Sequence, residues 1–437
     1  MPLANPVIVI PGITATYLRD EYTVPPEVVW SVTGKEFERS TLHPDDRRYE
    51  VKEPARVRAD QVFEVAYREL IEELRHNLSP SADKPVPVYP FGYDWRKPLA
   101  QIEADLADFV EEVIARTKLM RHYDQDGYAK APKVNLVGHS MGGLIVAGYM
   151  QRTGAACKVG KVASLASPLR GSLEAVLRVA TGTANMGGGD ASSREREAAR
   201  LTPALYHLLP SFPGAFDFAP GLPSSIYDRR AWQPGIVSTL TEFVRLHGLR
   251  PAQADVQATQ LLDSMLDEAR RHRERLESFT LPSAGLSVDD WLCVVGANST
   301  TRVHLTIGVN GQGQPEFNLK NNDRRNNWDN ADPARRVETG DGTVPYMGAL
   351  SSFIPLDKIV CVTPDDYGYW EVQDRLLSAA SGFHGILPNM DMLHRLIVCH
   401  FTSGVAGPRG NIWGRRAPNL SPSIAWNPPI KGLKEAK

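Results

Sequence analysis

Residues 134 to 149 read Val-Asn-Leu-Val-Gly-His-Ser-Met-Gly-Gly-Leu-Ile-Val-Ala-Gly-Tyr, and no other stretch of the 437-residue chain constrains the fold as much. An apolar run with strand character, Val134 to Val137, leads into Gly138-His139-Ser140-Met141-Gly142, and a helical pattern from Gly142 to Met150 follows. G-x-S-x-G between a strand and a helix marks a sharp turn that lifts a serine hydroxyl above the edge of a sheet. Glycine is required beside the serine because strand and helix approach without room for Cβ atoms. The turn holds its serine in a strained backbone conformation. The helix amino terminus adds a positive field where negative charge would develop on an oxygen. An ordinary glycine-rich turn is the rival reading of the motif alone, and the correct element on each side weighs against it.

Around this turn short apolar runs alternate with helical patterns, which predicts a mostly parallel sheet covered by helices. Strands are expected at Val7 to Ile10, Val86 to Tyr89, Val134 to Val137, Val159 to Ala166, Leu292 to Val295, Val303 to Ile307 and Lys358 to Val362. The spacing predicts helices over 61–78, with Phe63, Tyr67, Leu70, Ile71 and Leu74 on one face, over 99–118, and over 388–400. The rhythm breaks between residues 172 and 285. A glycine-rich stretch from Thr181 to Gly189 reads as mobile, and a long amphipathic helix over 252–277 turns Leu262, Met265, Leu266, Ala269 and Leu276 inward. So much helix inserted between two sheet strands is expected to form a cap or lid. The expectation is an α/β-hydrolase fold divided into a first core segment 1–171, a helical cap 172–285, a second core segment 286–402 and a loosely structured tail 403–437 rich in Pro, Gly and Arg.

Composition excludes some classes of function. Forty-nine basic residues balance 51 acidic ones, a net charge of -2, and a nucleic-acid partner would call for a basic stripe. The densest basic cluster, Arg270, Arg271, His272, Arg273 and Arg275, alternates with Glu268, Glu274 and Glu277 and reads as the solvated face of a helix. Cys157, Cys293, Cys361 and Cys399 lie far apart in or beside apolar runs and read as buried free thiols. No metal-ligand spacing occurs, and no metal or organic cofactor is expected. The amino terminus lacks the basic region and long apolar stretch of a signal peptide, and no run approaches the ~18 apolar residues of a membrane span. The expectation is a cytoplasmic protein with no transmembrane segment and with peripheral membrane contact left open.

A nucleophilic serine needs a base, and the base needs an orienting carboxylate; after a G-x-S-x-G turn these follow in the order Ser, acid, His. Asp341, in Glu338-Thr339-Gly340-Asp341-Gly342-Thr343-Val344-Pro345, is the acid candidate, because flanking glycines make a tight loop that can aim a carboxylate inward. A plain turn aspartate is its bland reading. Asp365 and Asp366 are alternatives that follow a later strand. His384, on a Gly-bounded loop directly before the final helix, is the base candidate; His394 and His400 fall on that helix and read as packing or surface residues. For the oxyanion hole, the residue after the nucleophile supplies one amide, Met141. Ile13, after the apolar strand ending in Pro11-Gly12, is the candidate for the other.

Several segments together resemble the lecithin:cholesterol acyltransferase family, which includes lysosomal phospholipases and bacterial lipase-like members. They are Pro11-Gly12, Tyr93-Asp94-Trp95-Arg96, Gly138 to Gly143, Ala166-Ser167-Pro168-Leu169-Arg170-Gly171-Ser172, Leu205-Tyr206-His207-Leu208-Leu209-Pro210, Gly340-Asp341-Gly342-Thr343-Val344-Pro345 and His384-Gly385-Ile386-Leu387. The pieces are colinear from residue 7 to about 390. The resemblance implies Ser140, Asp341 and His384 as a catalytic triad and implies esterase, phospholipase or transacylase chemistry on acyl esters under a mobile lid. It leaves Asp94 and Arg96 as a structural pair, with Trp95 packing near the pocket. Secreted members of the family carry a disulfide-bounded lid near the amino terminus, whereas residues 17 to 53 here contain no cysteine.

The functional expectation is a serine hydrolase of acyl-ester or lipid substrates, with acyltransferase activity as a variant of the same chemistry. The rivals are a catalytically silent lipid- or partner-binding protein on the same scaffold, and an amidase or thioesterase with the same triad.

Overall fold

The computed structural model describes residues 3–31, 34–183, 192–319, 323–402 and 412–436. Its centre is a six-stranded sheet of β1 (Val7–Ile10), β2 (Val88–Pro90), β3 (Val134–His139), β4 (Val159–Leu165), β5 (Trp291–Gly296) and β6 (Ile359–Val362). The spatial order is β2-β1-β3-β4-β5-β6 and every pairing is parallel. Each residue of β1, β3, β5 and β6 is buried, which is why these segments read as unbroken apolar runs: a parallel sheet is covered on both faces. Alternate side chains serve the two layers. Ile8 and Ile10 join the layer containing α2 (Leu99–Lys118), α3 (Met141–Thr153) and α4 (Ala254–Ser278). Val7 and Val9 pack with α1 (Glu64–Leu78) and α5 (Asp391–Phe401). The register sets Ile10 beside Gly138, so the chain leaving β1 runs directly past the turn that follows β3.

This is the α/β-hydrolase fold expected from the motif order. Between β4 and β5 lie helices at Leu173–Thr181, Ser193–Arg200, Pro203–His207 and Pro234–His247, and then α4. The inward residues expected on α4, from Leu262 to Leu276, are all buried. Of the glycine-rich stretch expected to be mobile, residues 184–189 lie outside the described residues.

Several expectations are corrected. The apolar segment after β5 forms a strand at Leu305–Val309 rather than 303–307, and it pairs with Phe216–Phe218 and Pro315–Phe317 in a separate three-stranded sheet. Residues 16–62 carry an unforeseen antiparallel sheet, Thr16–Asp20, Glu27–Trp30 and Val57–Val62. Its short strands interleave charged residues such as Arg19, Glu27 and Arg58 with apolar ones, which hides them from a hydropathy reading. It docks through Trp30, whose ring packs against Trp95 at 4.5 Å between centroids, the two planes tilted by 57°. Arg96 beneath it is buried and pairs with Asp94 at 2.7 Å and Glu50 at 3.0 Å.

Nor are residues 412–436 loose: Ile412, Ala417, Leu420 and Ile430 are buried. Cys361 and Arg415 exchange backbone hydrogen bonds, and the Trp426 Nε1–H donates to the Ile359 carbonyl at 2.8 Å. The basic cluster is not all solvated. His272 and Arg273 are buried, with His272 Nε2 2.7 Å from Glu103 of α2 and Arg273 donating to the Leu169 and His207 carbonyls. Helical periodicity puts two of the six positions 270–275 on the inner face whatever their charge. All four cysteines are free, but only Cys293 and Cys361 are buried; Cys157 and Cys399 are half-buried. Among the described residues, no helix is long and apolar enough to cross a membrane.

Candidate active site

Ser140 sits between the end of β3 and the first residue of α3 with φ 53° and ψ -126°. Positive φ at a residue with a side chain is uncommon and strained. The conformation is held from both sides: the Ser140 N–H donates to the Leu165 carbonyl at 2.9 Å, and the Ser140 carbonyl accepts from Gly143 N at 3.0 Å. Gly12 packs against the serine so closely that a Cβ on it would lie 3.0 Å from Ser140 Cβ.

His384 Nε2 lies 2.9 Å from Ser140 Oγ, and its Nδ1 lies 2.7 Å from Asp341 Oδ2. Asp341 is buried, and its second oxygen, Oδ1, accepts from the Thr343 and Val344 N–H groups at 2.9 and 2.7 Å. The carboxylate is therefore clamped by its own turn on one oxygen and presents the other to the imidazole. Gly342, at φ 96°, makes that turn possible. The His384 N–H also donates to the Asp341 carbonyl at 3.2 Å. His384 lies in a one-turn helix, Phe383–Ile386, rather than the open loop expected.

Ile13 and Met141 come shortly after the ends of β1 and β3, which run side by side with Ile10 paired to Gly138. Among the described residues, neither backbone N–H has a protein acceptor. The other candidates lie away from the serine. Asp366 pairs with Arg415 and accepts from Trp413 Nε1–H at 3.0 Å. Asp365 accepts from the Asn298 amide at 3.2 Å. His394 and His400 are buried and hydrogen-bond the Pro388 and Val162 carbonyls at 2.8 and 3.0 Å. A cleft of about 470 Å³ borders the acid side, lined by Asp341, Gly342, Asp365, Tyr367, Arg375 and Phe383 among others; Ser140 is not part of its wall.

Two residues of the site escape a sequence reading. Tyr67 appears in the sequence only as one of the inward residues of a helix, and His139 only as the variable position of G-x-S-x-G. In the structure Tyr67 Oη accepts from the Gly12 N–H at 2.9 Å and lies 2.7 Å from His139 Nδ1. His139 Nε2 lies 3.0 Å from the His384 carbonyl. Burial, with His384 alongside, holds the His139 imidazole well below its ordinary pKa, so the ring is neutral.

A parallel α/β sheet with a serine on a strained turn at one strand end, hydrogen-bonded to a histidine that faces a clamped aspartate, defines the α/β-hydrolase class. Within that class, residues 65–262 match the model of the lecithin:cholesterol acyltransferase family. That match covers the elbow and agrees with the resemblance carried by the motifs. Among solved structures, the chain is similar to one described as the Tle4–Tli4 complex, at 17% identity and a TM-score of 0.50, covering 79% of this chain and 88% of that one. A match to phospholipase PlaB from Legionella pneumophila has 18% identity and a TM-score of 0.23 over 40% of this chain and 27% of that one, too slight to carry weight. No curated protein matches the chain.

Proposed function

We propose that the chain is a serine hydrolase that cleaves carboxylic acyl esters, with lipid-like esters as substrates. The single observation that carries the proposal is the hydrogen-bonded run Ser140–His384–Asp341 at 2.9 and 2.7 Å. In this reading Ser140 Oγ attacks the ester carbonyl while His384 Nε2 takes its proton, and Asp341 holds the imidazole in position and stabilises its cation. The Ile13 and Met141 amides receive the oxyanion. The protonated His384 returns its proton to the departing alcohol, leaving an acyl-serine. Water, activated by the same histidine, then releases the acid, or an acceptor alcohol takes the acyl group and makes the protein a transacylase. The scheme calls for no metal or organic cofactor. The family match over residues 65–262 supports lipid-like rather than small soluble esters.

The test is Ser140→Ala. Turnover of p-nitrophenyl esters is expected to fall by roughly 10⁴-fold or more and labelling by a fluorophosphonate probe to vanish, with thermal unfolding unchanged. Undiminished turnover in the folded variant sinks the proposal. Parent protein that folds but neither labels nor turns over favours a silent binder.

A further inference from the structure

The hydrogen bonds around Tyr67 and His139 have a fixed direction. The His384 carbonyl can only accept, so His139 Nε2 carries the proton of the neutral ring, and Nδ1 is left bare. Tyr67 already accepts from the Gly12 N–H, so its own hydroxyl proton goes to Nδ1. Three donors thus point one way: Gly12 to Tyr67, Tyr67 to His139, His139 to His384. Tyr67 and His139 are both buried, so these bonds have no water to replace them. They join the three segments that must be in register for acyl transfer: the loop of Ile13, the serine turn and the base turn. Helix α1 also grips the chain just beyond the base, where the Asn389 amide donates to the Val65 carbonyl at 2.9 Å.

We infer that Tyr67 and His139 are positioning residues, a directed relay that sets the His384 backbone and the β1 loop against Ser140. The inference rests on the serine-hydrolase reading above. Neither residue touches the reacting atoms; each acts through His384 and Gly12.

The test uses the full chain with Tyr67→Phe, His139→Phe and His139→Gln. Glutamine carries one acceptor and one donor and can bridge the same two partners; phenylalanine cannot. Tyr67→Phe and His139→Phe are expected to lower kcat roughly 10- to 100-fold with KM within about two-fold, and to slow fluorophosphonate labelling of Ser140 in the same proportion. His139→Gln is expected to recover most of both. Values of kcat within about two-fold of the parent in both phenylalanine variants overturn the inference. So does a loss that His139→Gln does not relieve. A readout independent of turnover separates this failure from failure of the serine-hydrolase reading. The downfield proton resonance between His384 Nδ1 and Asp341, assigned by its loss in Asp341→Asn, is expected to shift or broaden in Tyr67→Phe and His139→Phe and to return in His139→Gln. An unmoved resonance overturns the relay whether or not the protein hydrolyses esters.

Discussion

Gly142→Ala opposes two effects of known size. Gly142 is a buried residue in the first turn of α3, and replacing a helical glycine by alanine ordinarily stabilises by up to about 1 kcal/mol. Here a Cβ would lie 2.2 Å from the Ile10 carbonyl oxygen and 2.9 Å from that of Pro11. Both are backbone atoms, so no side chain can swing away, and β1 or α3 must shift by about 1 Å to restore normal contact. Overpacking of this kind costs about 1–3 kcal/mol, so the net stability change is a loss of at most about 3 kcal/mol. For a chain of 437 residues unfolding as one unit, each kcal/mol moves Tm by only about 1 °C. Activity responds far more strongly, because the displaced segment leads straight into Gly12 and Ile13. A misplacement of about 1 Å costs about 100-fold in kcat. Gly385→Ala is the control: it is next to His384, yet a Cβ there meets nothing within 4 Å. It is expected to keep activity within about two-fold and Tm within about 1 °C. Ester hydrolysis and calorimetry on both variants decide the matter. Gly142→Ala with half the parental kcat, or Gly385→Ala as impaired as Gly142→Ala, refutes the steric reasoning.

Two further predictions concern stability. Arg96→Ala leaves Glu50 and Asp94 without their buried counter-charge and is expected to cost about 3–5 kcal/mol. Arg96→Lys is not expected to restore it, because the guanidinium also serves the Ser40 carbonyl at 2.9 Å and one ammonium cannot reach every partner; Tm and faster hydrogen exchange across residues 41–57 report it. His400, buried on α5 against β4, has its pKa pushed down to about 4, first by burial and then by the neighbouring Lys161. The unfolded histidine, near 6.5, binds its proton first as pH falls, so stability is full above pH 6.5 and is lost between about 6.5 and 4, with His400 contributing about 3 kcal/mol. His400→Gln is expected to flatten Tm against pH across that window, and an unchanged slope refutes the assignment.

The fold class and the candidate Ser140, Asp341 and His384 were legible because the strands and the two turns rest on local patterns. β1, β3, β5 and β6 are buried on both faces and so announce themselves as apolar runs. Ser140 and Asp341 stand between glycines that their turns require. His384 follows from chain order once those two are fixed. The sheet over residues 16–62 was not legible, since its strands are short and interleave charge with the few apolar residues, Leu18, Val29, Trp30 and Val57, that seat it in the core. Likewise the tail's attachment depends on Arg415 meeting Asp366, a partner 49 residues away.

The sequence alone thus determined which residues are candidates for the chemistry: the serine and the aspartate each stand in a short glycine-bounded motif with its own backbone demand, and the histidine follows from chain order. What it could not carry is their alignment. The Tyr67–His139 relay spans 72 residues at one step and 245 at the next, and nothing within either local segment distinguishes Tyr67 from a core tyrosine or His139 from a filler in the elbow. Only the tertiary fold decides that these two groups meet in a site without water. There a carbonyl on one side and an amide on the other leave each proton a single direction to point.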